Sequence, residues 1–180
     1  MRELSLHIID VAENGIAAGA DLITIKISER DKDNLMEVAI ADNGRGIPQD
    51  LLKKVVDPFF TTRTTRRIGL GLSLFKEAAK RCDGEFHIKS KEGKGTEVFA
   101  SFRLDHIDLA PLGDMAGSIG CLIMGNPGAD FLYAHEINGE SFSIDTRGIR
   151  KELDGVPINN PEVIRWIINT INDSLKELKS

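Results

Sequence analysis

Stretches of helical periodicity alternate with pairs of β-rich stretches over the first hundred residues, and that alternation constrains the possible folds of this chain most. Leu4, Leu6, Ile8, Ile9, Val11, Ala12 and Ile16 recur at spacings of three and four, which predicts an amphipathic helix from residue 3 to about 17. Two β-rich runs follow, Leu22 to Ser28 and Leu35 to Ala41, joined by the charged turn Arg30 to Asn34, and they predict an antiparallel hairpin. Pro48 sits where a first-turn proline opens a helix, here a short one running to Val56, and the aperiodic stretch 57–68 reads as a loop. A second amphipathic helix is predicted over Leu70 to Arg81, with a left-handed stop near Asp83 and Gly84. Glu85 to Ser90 and Thr96 to Leu104 alternate about the turn Lys91 to Gly95, a second hairpin. Helices alternating with antiparallel strand pairs predict an α/β fold, a two-layer sandwich with its helices on one face of the sheet.

Residues 105–113, with Pro111 and Gly113, read as a linker between this unit (1–104) and a small α+β accessory region, 114–180. A helix is expected there near Gly113 to Met124, then a hairpin around Asn138-Gly139 and two further helices. The last is announced by the cap and first-turn proline of Asn160-Pro161-Glu162. Its stripe of Ile164, Ile167, Ile168, Ile171, Leu175 and Leu178 must pack on something, which makes this region the expected contact for a protein partner or a second copy in a homodimer. The 41% hydrophobic and 28% charged content is that of a globular protein, and a net charge of −5 argues against a nucleic-acid partner. No apolar run reaches the roughly 18 to 20 residues that span a bilayer, so no membrane role and a cytoplasmic location are expected. Cys82 and Cys121 lie far apart and outside any Cys-x-x-Cys pair, so neither a disulfide framework nor a zinc site is expected.

Five short segments carry the chemistry. They are Asp10-Val-Ala-Glu-Asn14, Asp42-Asn-Gly44-Arg-Gly46 running on into Ile47, Asp57-Pro-Phe-Phe-Thr-Thr-Arg63, Gly69-Leu70-Gly71-Leu72, and Gly93-Lys-Gly95-Thr96. In this order and at these spacings, over about residues 3–104, the chain resembles the GHKL superfamily. That superfamily includes histidine-kinase catalytic domains, anti-sigma serine kinases, gyrase and mismatch-repair ATPases. The pairing of the Asp57 segment with Gly69-x-Gly71 is most similar to the sensor histidine-kinase branch. The resemblance implies the Bergerat fold, with ATP as ligand and Mg2+ as its counter-ion.

Each role carried over by the resemblance has a plainer reading beside it. Asn14 matches the magnesium-binding Asn, a hard uncharged oxygen ligand; alone it would be an exposed helical Asn. Asp10, one turn earlier, stands where hydrolysing members carry a Glu that orients or deprotonates water; an Asp is one methylene shorter, and the alternative is a solvent-facing acid. Asp42 would accept a hydrogen bond from the exocyclic amine of adenine, which guanine does not offer at that edge, and Gly44 and Gly46 let the backbone approach the ring. Ala18 matches the small residue beside adenine or simply ends a helix, and Thr96 reaches the adenine edge or simply starts a strand. Gly69 and Gly71, in a segment shared with Leu70 and Leu72, precede a helix whose free N–H groups favour phosphates, and Arg63 is placed to pair with the terminal phosphate. Arg67 and Ile68 stand just before Gly69 where the fuller pattern has a glycine, which shortens the lid. His7, His87, His106 and His135 are read as structural, with His106 alone retained as a possible phosphoryl acceptor.

Three functions fit these residues. The first is a stand-alone kinase-like ATP-binding domain acting on a separate chain. The second is an ATP-sensing module without catalysis. The third is a slow hydrolase of the gyrase or mismatch-repair kind, disfavoured because the 75 or so residues after the sandwich are few for a transducer domain.

Overall fold

The computed structural model describes residues 3–57 and 66–180. Helix α1 (Leu4–Ala17) is followed by strands β1 (Leu22–Arg30) and β2 (Leu35–Asp42), the short helix α2 (Gln49–Leu52), and helix α3 (Arg66–Arg81). Strands β3 (Phe86–Lys91) and β4 (Gly95–Arg103), helix α4 (Met115–Gly125), strands β5 (Asp130–Ile137) and β6 (Glu140–Asp145), and helices α5 (Thr146–Glu152) and α6 (Pro161–Lys179) complete the chain. The predicted hairpins, α1, α4, α6 and the Asn138-Gly139 turn are all present. Two boundaries differ. The helix opened by Pro48 closes at Leu52 rather than Val56, and α3 begins at Arg66, four residues before the predicted start. The left-handed stop after α3 falls on Asp83 (φ 54°), while a side chain on Gly84 would collide with the carbonyl of Ser101, so glycine is required there for close approach.

All six strands form one mixed sheet in the order β3-β4-β2-β1-β5-β6. Within the first hundred residues pairing is antiparallel, whereas β5 runs parallel to β1 from Leu22↔Asp130 to Glu29↔Ile137. Register places Ile23, Ile25 and Ile27, Met36, Val38 and Ile40, Val98, Ala100 and Phe102, and Phe131 and Tyr133 on one face, where all are buried beneath the helices. Burying a large apolar side chain contributes about 1.5–3 kcal/mol. The opposite face, with Lys26, Ala39, Phe99 and Ala134, stays open along a groove of about 380 Å³. The carboxy-terminal segment therefore shares both the sheet and the apolar core of the first hundred residues. Its approach also caps α1: the side chain of Glu3 makes no cap bond, and the N–H groups of Leu4 and Ser5 instead donate to the carbonyls of Pro111 and Leu112 at 3.0 and 2.8 Å.

One polar network crosses the buried face. The fully buried His135 on β5 places Nε2 2.7 Å from Glu29 Oε1 on β1, and its Nδ1 lies 2.7 Å from the Tyr133 hydroxyl. A neutral imidazole that carries its proton on Nε2 satisfies both contacts, with Tyr133 donating to Nδ1. Burial, and then the charge of Glu29, push the Tyr133 hydroxyl well above the usual range, which keeps it a donor. His87 is exposed beside Glu85, and His106 accepts from the backbone N–H of Asp108 through Nδ1. Among the described residues no helix is long and apolar enough to cross a membrane.

His7, buried on α1 and stacked on Phe75 at 5.5 Å, has an Nδ1 with no hydrogen-bond partner, and burial pushes its pKa down to about 4. An unfolded histidine titrates near 6.5, so the stability contributed by neutral His7 is present above about pH 6.5 and is lost as pH falls towards the folded value. We expect thermal denaturation of wild type to weaken over that window, and His7→Phe, which keeps a ring on Phe75, to flatten the dependence. Superimposable pH profiles for the two proteins would show that His7 titrates normally.

Candidate functional site

Four elements converge where β2 ends. Helix α1 supplies Asp10, Asn14 and, at its carboxy-terminal cap, Ala18; β2 supplies Asp42; β4 supplies Thr96; α3 supplies Leu72. Thr96 lies directly across the ladder from Asp42, so a register between strands more than fifty residues apart builds the pair. Val11, Asn14, Ala18, Asp42, Gly46, Ile47, Leu72 and Thr96 line one pocket, with the exposed Arg45 at its mouth. Its volume is about 50 Å³, room for one or two water molecules.

The loop after β2 is held by one local bond and by three that reach distant parts of the chain. Asp42 Oδ1 accepts from Gly44 N–H at 2.9 Å, and the Thr96 N–H also donates to this carboxylate. Burial raises the Asp42 pKa and the two N–H groups oppose that rise, which leaves an acceptor withdrawn from water and rigidly aimed. Arg45 donates its N–H to the carbonyl of Ala18 at 2.9 Å and receives Gly93 N–H at 2.7 Å. Gly46 has φ 73°, and a side chain there would collide with the carbonyl of Lys91, while Gly95 (φ 116°) lies against the carbonyl of Asp42. Glycine is the residue that tolerates both demands.

Three residues not singled out in the sequence complete the site. Ser90 Oγ accepts from Ile47 N–H at 2.7 Å, donates to the Gly95 carbonyl at 3.0 Å and lies 2.8 Å from Thr96 Oγ1. With Ser90 donating to Gly95, the Thr96 hydroxyl donates to Ser90 and keeps its lone pairs for a ligand. Asn43 Oδ1 accepts from the N–H groups of Asp21 and Leu22 at 3.0 Å, tying the loop to the start of β1. Gly15 lets α1 lie against the sheet, since a side chain there would meet Asp42 Cβ and Ile23 Cδ1 at 2.7 Å. A glycine inside a helical pattern costs about 1 kcal/mol against alanine and so signals a packing reason, which makes Gly15 legible in retrospect. A single serine in a strand carries no such signal.

Asp10 and Asn14 lie one turn apart on α1. Asn14 Nδ2 is buried without a hydrogen-bond partner, so its amide is not consumed by the protein. Burial pushes the Asp10 pKa upward. Gly71 passes so close that a side chain on it would lie 3.2 Å from Asp10 Cβ. Gly69 and Gly71 lie within α3 rather than before it, a correction to the expected phosphate-binding turn. A glycine in the second turn of a helix already has its N–H committed to the carbonyl four residues back, so the free donors of α3 belong to its first residues instead. Arg63, Phe59 and Phe60 lie outside the described residues. A larger cavity of about 660 Å³ lies beside β6, across the sheet; among the described residues no buried unpartnered polar atom faces it, and the smaller pocket is the chemically equipped one.

Residues 1–106 match the family of histidine kinase-, DNA gyrase B- and HSP90-like ATPases. Sporulation kinase C of Bacillus subtilis (strain 168) is 33% identical over 94 residues, which cover 52% of this chain and 22% of the kinase. Sporulation kinase D of the same organism is 36% identical over 93 residues, 51% of this chain and 18% of the kinase. The chain thus spans about a fifth of these curated relatives. Among solved structures, the Aquifex aeolicus MutL ATPase domain complexed with ADP superposes with a TM-score of 0.51 at 15% identity, covering 81% of this chain and 63% of that one. The amino-terminal domain of a DNA repair protein gives a TM-score of 0.54 at 14% identity, covering 80% and 52%. Both superpositions cover more than the 106 residues of the family match, so part of the carboxy-terminal segment belongs to the shared fold.

The raised pKa of Asp10 has a measurable consequence. The folded protein holds the proton of this carboxyl more tightly than the unfolded chain, so ionisation costs stability as pH rises from the unfolded value of about 3.9 through the folded one. Asp10→Asn is therefore expected to raise the melting temperature of the ligand-free protein at pH 7 and to lose that advantage below about pH 3.9. A gain that persists unchanged in acid would assign the stabilisation to something other than the charge.

Proposed function

Because the chain belongs to the histidine kinase-, DNA gyrase B- and HSP90-like ATPase family, we propose that it binds Mg-ATP in the pocket at the end of β2 and acts as a regulatory protein kinase on a separate chain. The observation that carries this reading is the convergence of three groups with unused capacity on one pocket. The Asp42 carboxylate is aimed by two backbone N–H groups, the Thr96 hydroxyl retains lone pairs, and the Asn14 Nδ2 lacks a protein partner. Asp42 and Thr96 are suited to the adenine edge, with Ala18, Ile47 and Leu72 against the ring. Adenine presents an amine where guanine presents a carbonyl, and a carboxylate facing a carbonyl is repelled.

Asn14 would hold the magnesium ion through its side-chain oxygen. Asn14 lines the pocket, and its Oδ1 is a hard neutral oxygen of the kind magnesium takes as a ligand, while its buried Nδ2 has no protein partner. The ion neutralises triphosphate charge when bound. Asp10, one turn earlier on α1, is positioned to orient or deprotonate the nucleophile, and its burial moves its pKa towards neutrality, as a general base requires. Gly71 and Leu72 bring α3 against α1 beside these groups, and Gly69, Leu70 and Arg63 belong to the segment proposed to close over the phosphates. The kinase relatives favour phosphoryl transfer, while the short Asp10 side chain favours slow hydrolysis or a sensor that binds ATP without turning it over.

Calorimetry should show ATP or ADP binding with clear preference over GTP, and Asp42→Ala should lose on the order of 2 to 3 kcal/mol, the loss expected for a buried charged hydrogen bond. Equal affinity for GTP removes the adenine assignment. Asn14→Ala should erase the magnesium-enhanced part of ATP binding while leaving adenosine binding intact. Incubation with labelled ATP and magnesium, with and without cell extract, separates the reactions: label on protein supports the kinase, free phosphate the hydrolase, and intact bound ATP the sensor. Asp10→Asn should lower any turnover by about a hundredfold or more, and Asp10→Glu should preserve or raise it.

A further inference from the structure

Strand β6 is an outer edge of the sheet, and a two-residue turn, Asn138-Gly139, connects it to β5. In such a hairpin the pair flanking the turn, Ile137↔Glu140, is hydrogen-bonded and the bonding alternates from there. Glu140, Phe142 and Ile144 therefore turn their backbone groups towards β5, and Ser141 and Ser143 turn theirs outward. Among the described residues, no other strand pairs with this edge.

Beside this edge lies the groove of about 660 Å³. Ile144, Ile149, Leu153, Val163 and Trp166 form its apolar wall, and Trp166 on α6 is 54% exposed. The charged side chains that line it are all acidic: Asp145, Glu152 and Glu162. Asp145 is engaged by Arg147 at 2.8 Å, whereas Glu152 and Glu162 have no ion-pair partner among the described residues. Open strand edges are ordinarily blunted by lysine, proline or a covering segment, and β6 carries neither lysine nor proline.

We propose that β6 and its groove take an extended segment of a partner protein, which adds as a seventh strand, buries apolar side chains against Trp166 and Leu153, and presents basic residues to Glu152 and Glu162. Backbone hydrogen bonds to Ser141 and Ser143 supply affinity, and the groove reads alternate side chains. A second copy of this chain is the poorer occupant, because pairing β6 with itself sets the acidic groove against its own duplicate. The site is independent of the nucleotide pocket, so its test is indifferent to ATP.

Trp166 is the single tryptophan, so its emission reports the groove directly. The full chain is titrated with a nonapeptide of the repeat Val-Ser-Lys-Ser, which sets valines and lysines on one face of a strand, its counterpart with glutamate for lysine, and two forms of the lysine peptide carrying backbone N-methyl groups on either the serines or the other residues. We expect a saturable blue shift with the lysine peptide, binding of the glutamate peptide at least tenfold weaker, and collapse of that difference in the Glu152→Gln/Glu162→Gln variant. One of the two methylated peptides should lose binding while the other keeps it, because alternate N–H groups of a strand face opposite edges. Absence of a blue shift, equal binding of both charge types, or full binding by both methylated peptides overturns the proposal. Concentration-dependent dimerisation in sedimentation that the lysine peptide displaces only in proportion to ionic strength overturns it in favour of a second copy.

Discussion

The carboxylate of Asp42, withdrawn from water at the point where β2 gives way to a loop, sets the terms for everything around it. A buried acceptor demands donors, and the N–H groups of Gly44 and Thr96 meet that demand only if the loop turns sharply and β4 pairs in one register. Close approach of the helix that carries Asp10 and Asn14 then requires that nothing project from position 15. Gly46 and Gly95 are where the loop and the β3–β4 turn come too near backbone carbonyls for a side chain. Gly15, Gly44 and Gly95 are therefore consequences of the surroundings of Asp42, and Ser90 and Asn43 are the ties that hold those surroundings still.

The carboxy-terminal segment is built on a different constraint. Its β5 completes the sheet by parallel pairing along β1, and the Glu29–His135–Tyr133 chain runs across that seam without a free polar atom on the imidazole. Such a network is costly if broken, since each orphaned buried group loses its hydrogen bond. The stripe of α6 anticipated as a partner surface is spent largely inward: Ile164, Ile167 and Ile171 are buried in the common core, and Trp166 on an adjoining face is left exposed. The result is a sheet with a chemically equipped pocket near one side and an open, acid-lined edge at the other.

Much of this was legible in the residues. Periodicity located α1, α4, α6 and both amino-terminal hairpins because burial on one face imposes spacings of 3.6 and 2. Asn138-Gly139 announced its turn because both positions need positive φ, and both have it. Asp42, Thr96, Asn14, Ala18, Ile47 and Leu72 were singled out by the resemblance their motifs carry, and the fold brings all six onto one pocket. The start of α3 was misplaced because two glycines suggest a turn, and propensity cannot say when neighbouring packing, here against Asp10, keeps them helical.

By itself, then, the chain determines its local elements and the chemical character of its site, since both follow from short-range sterics and from side-chain type. Tertiary structure alone decides three things. It sets the parallel union of β1 with β5, which no local pattern encodes because parallel partners are joined through distant crossovers. It leaves the Asn14 amide without a protein partner, a fact about what surrounds a side chain rather than what it is. It exposes Trp166 beside the open edge of β6 while burying Ile164, Ile167 and Ile171 of the same helix, because among the described residues the sheet ends at β6.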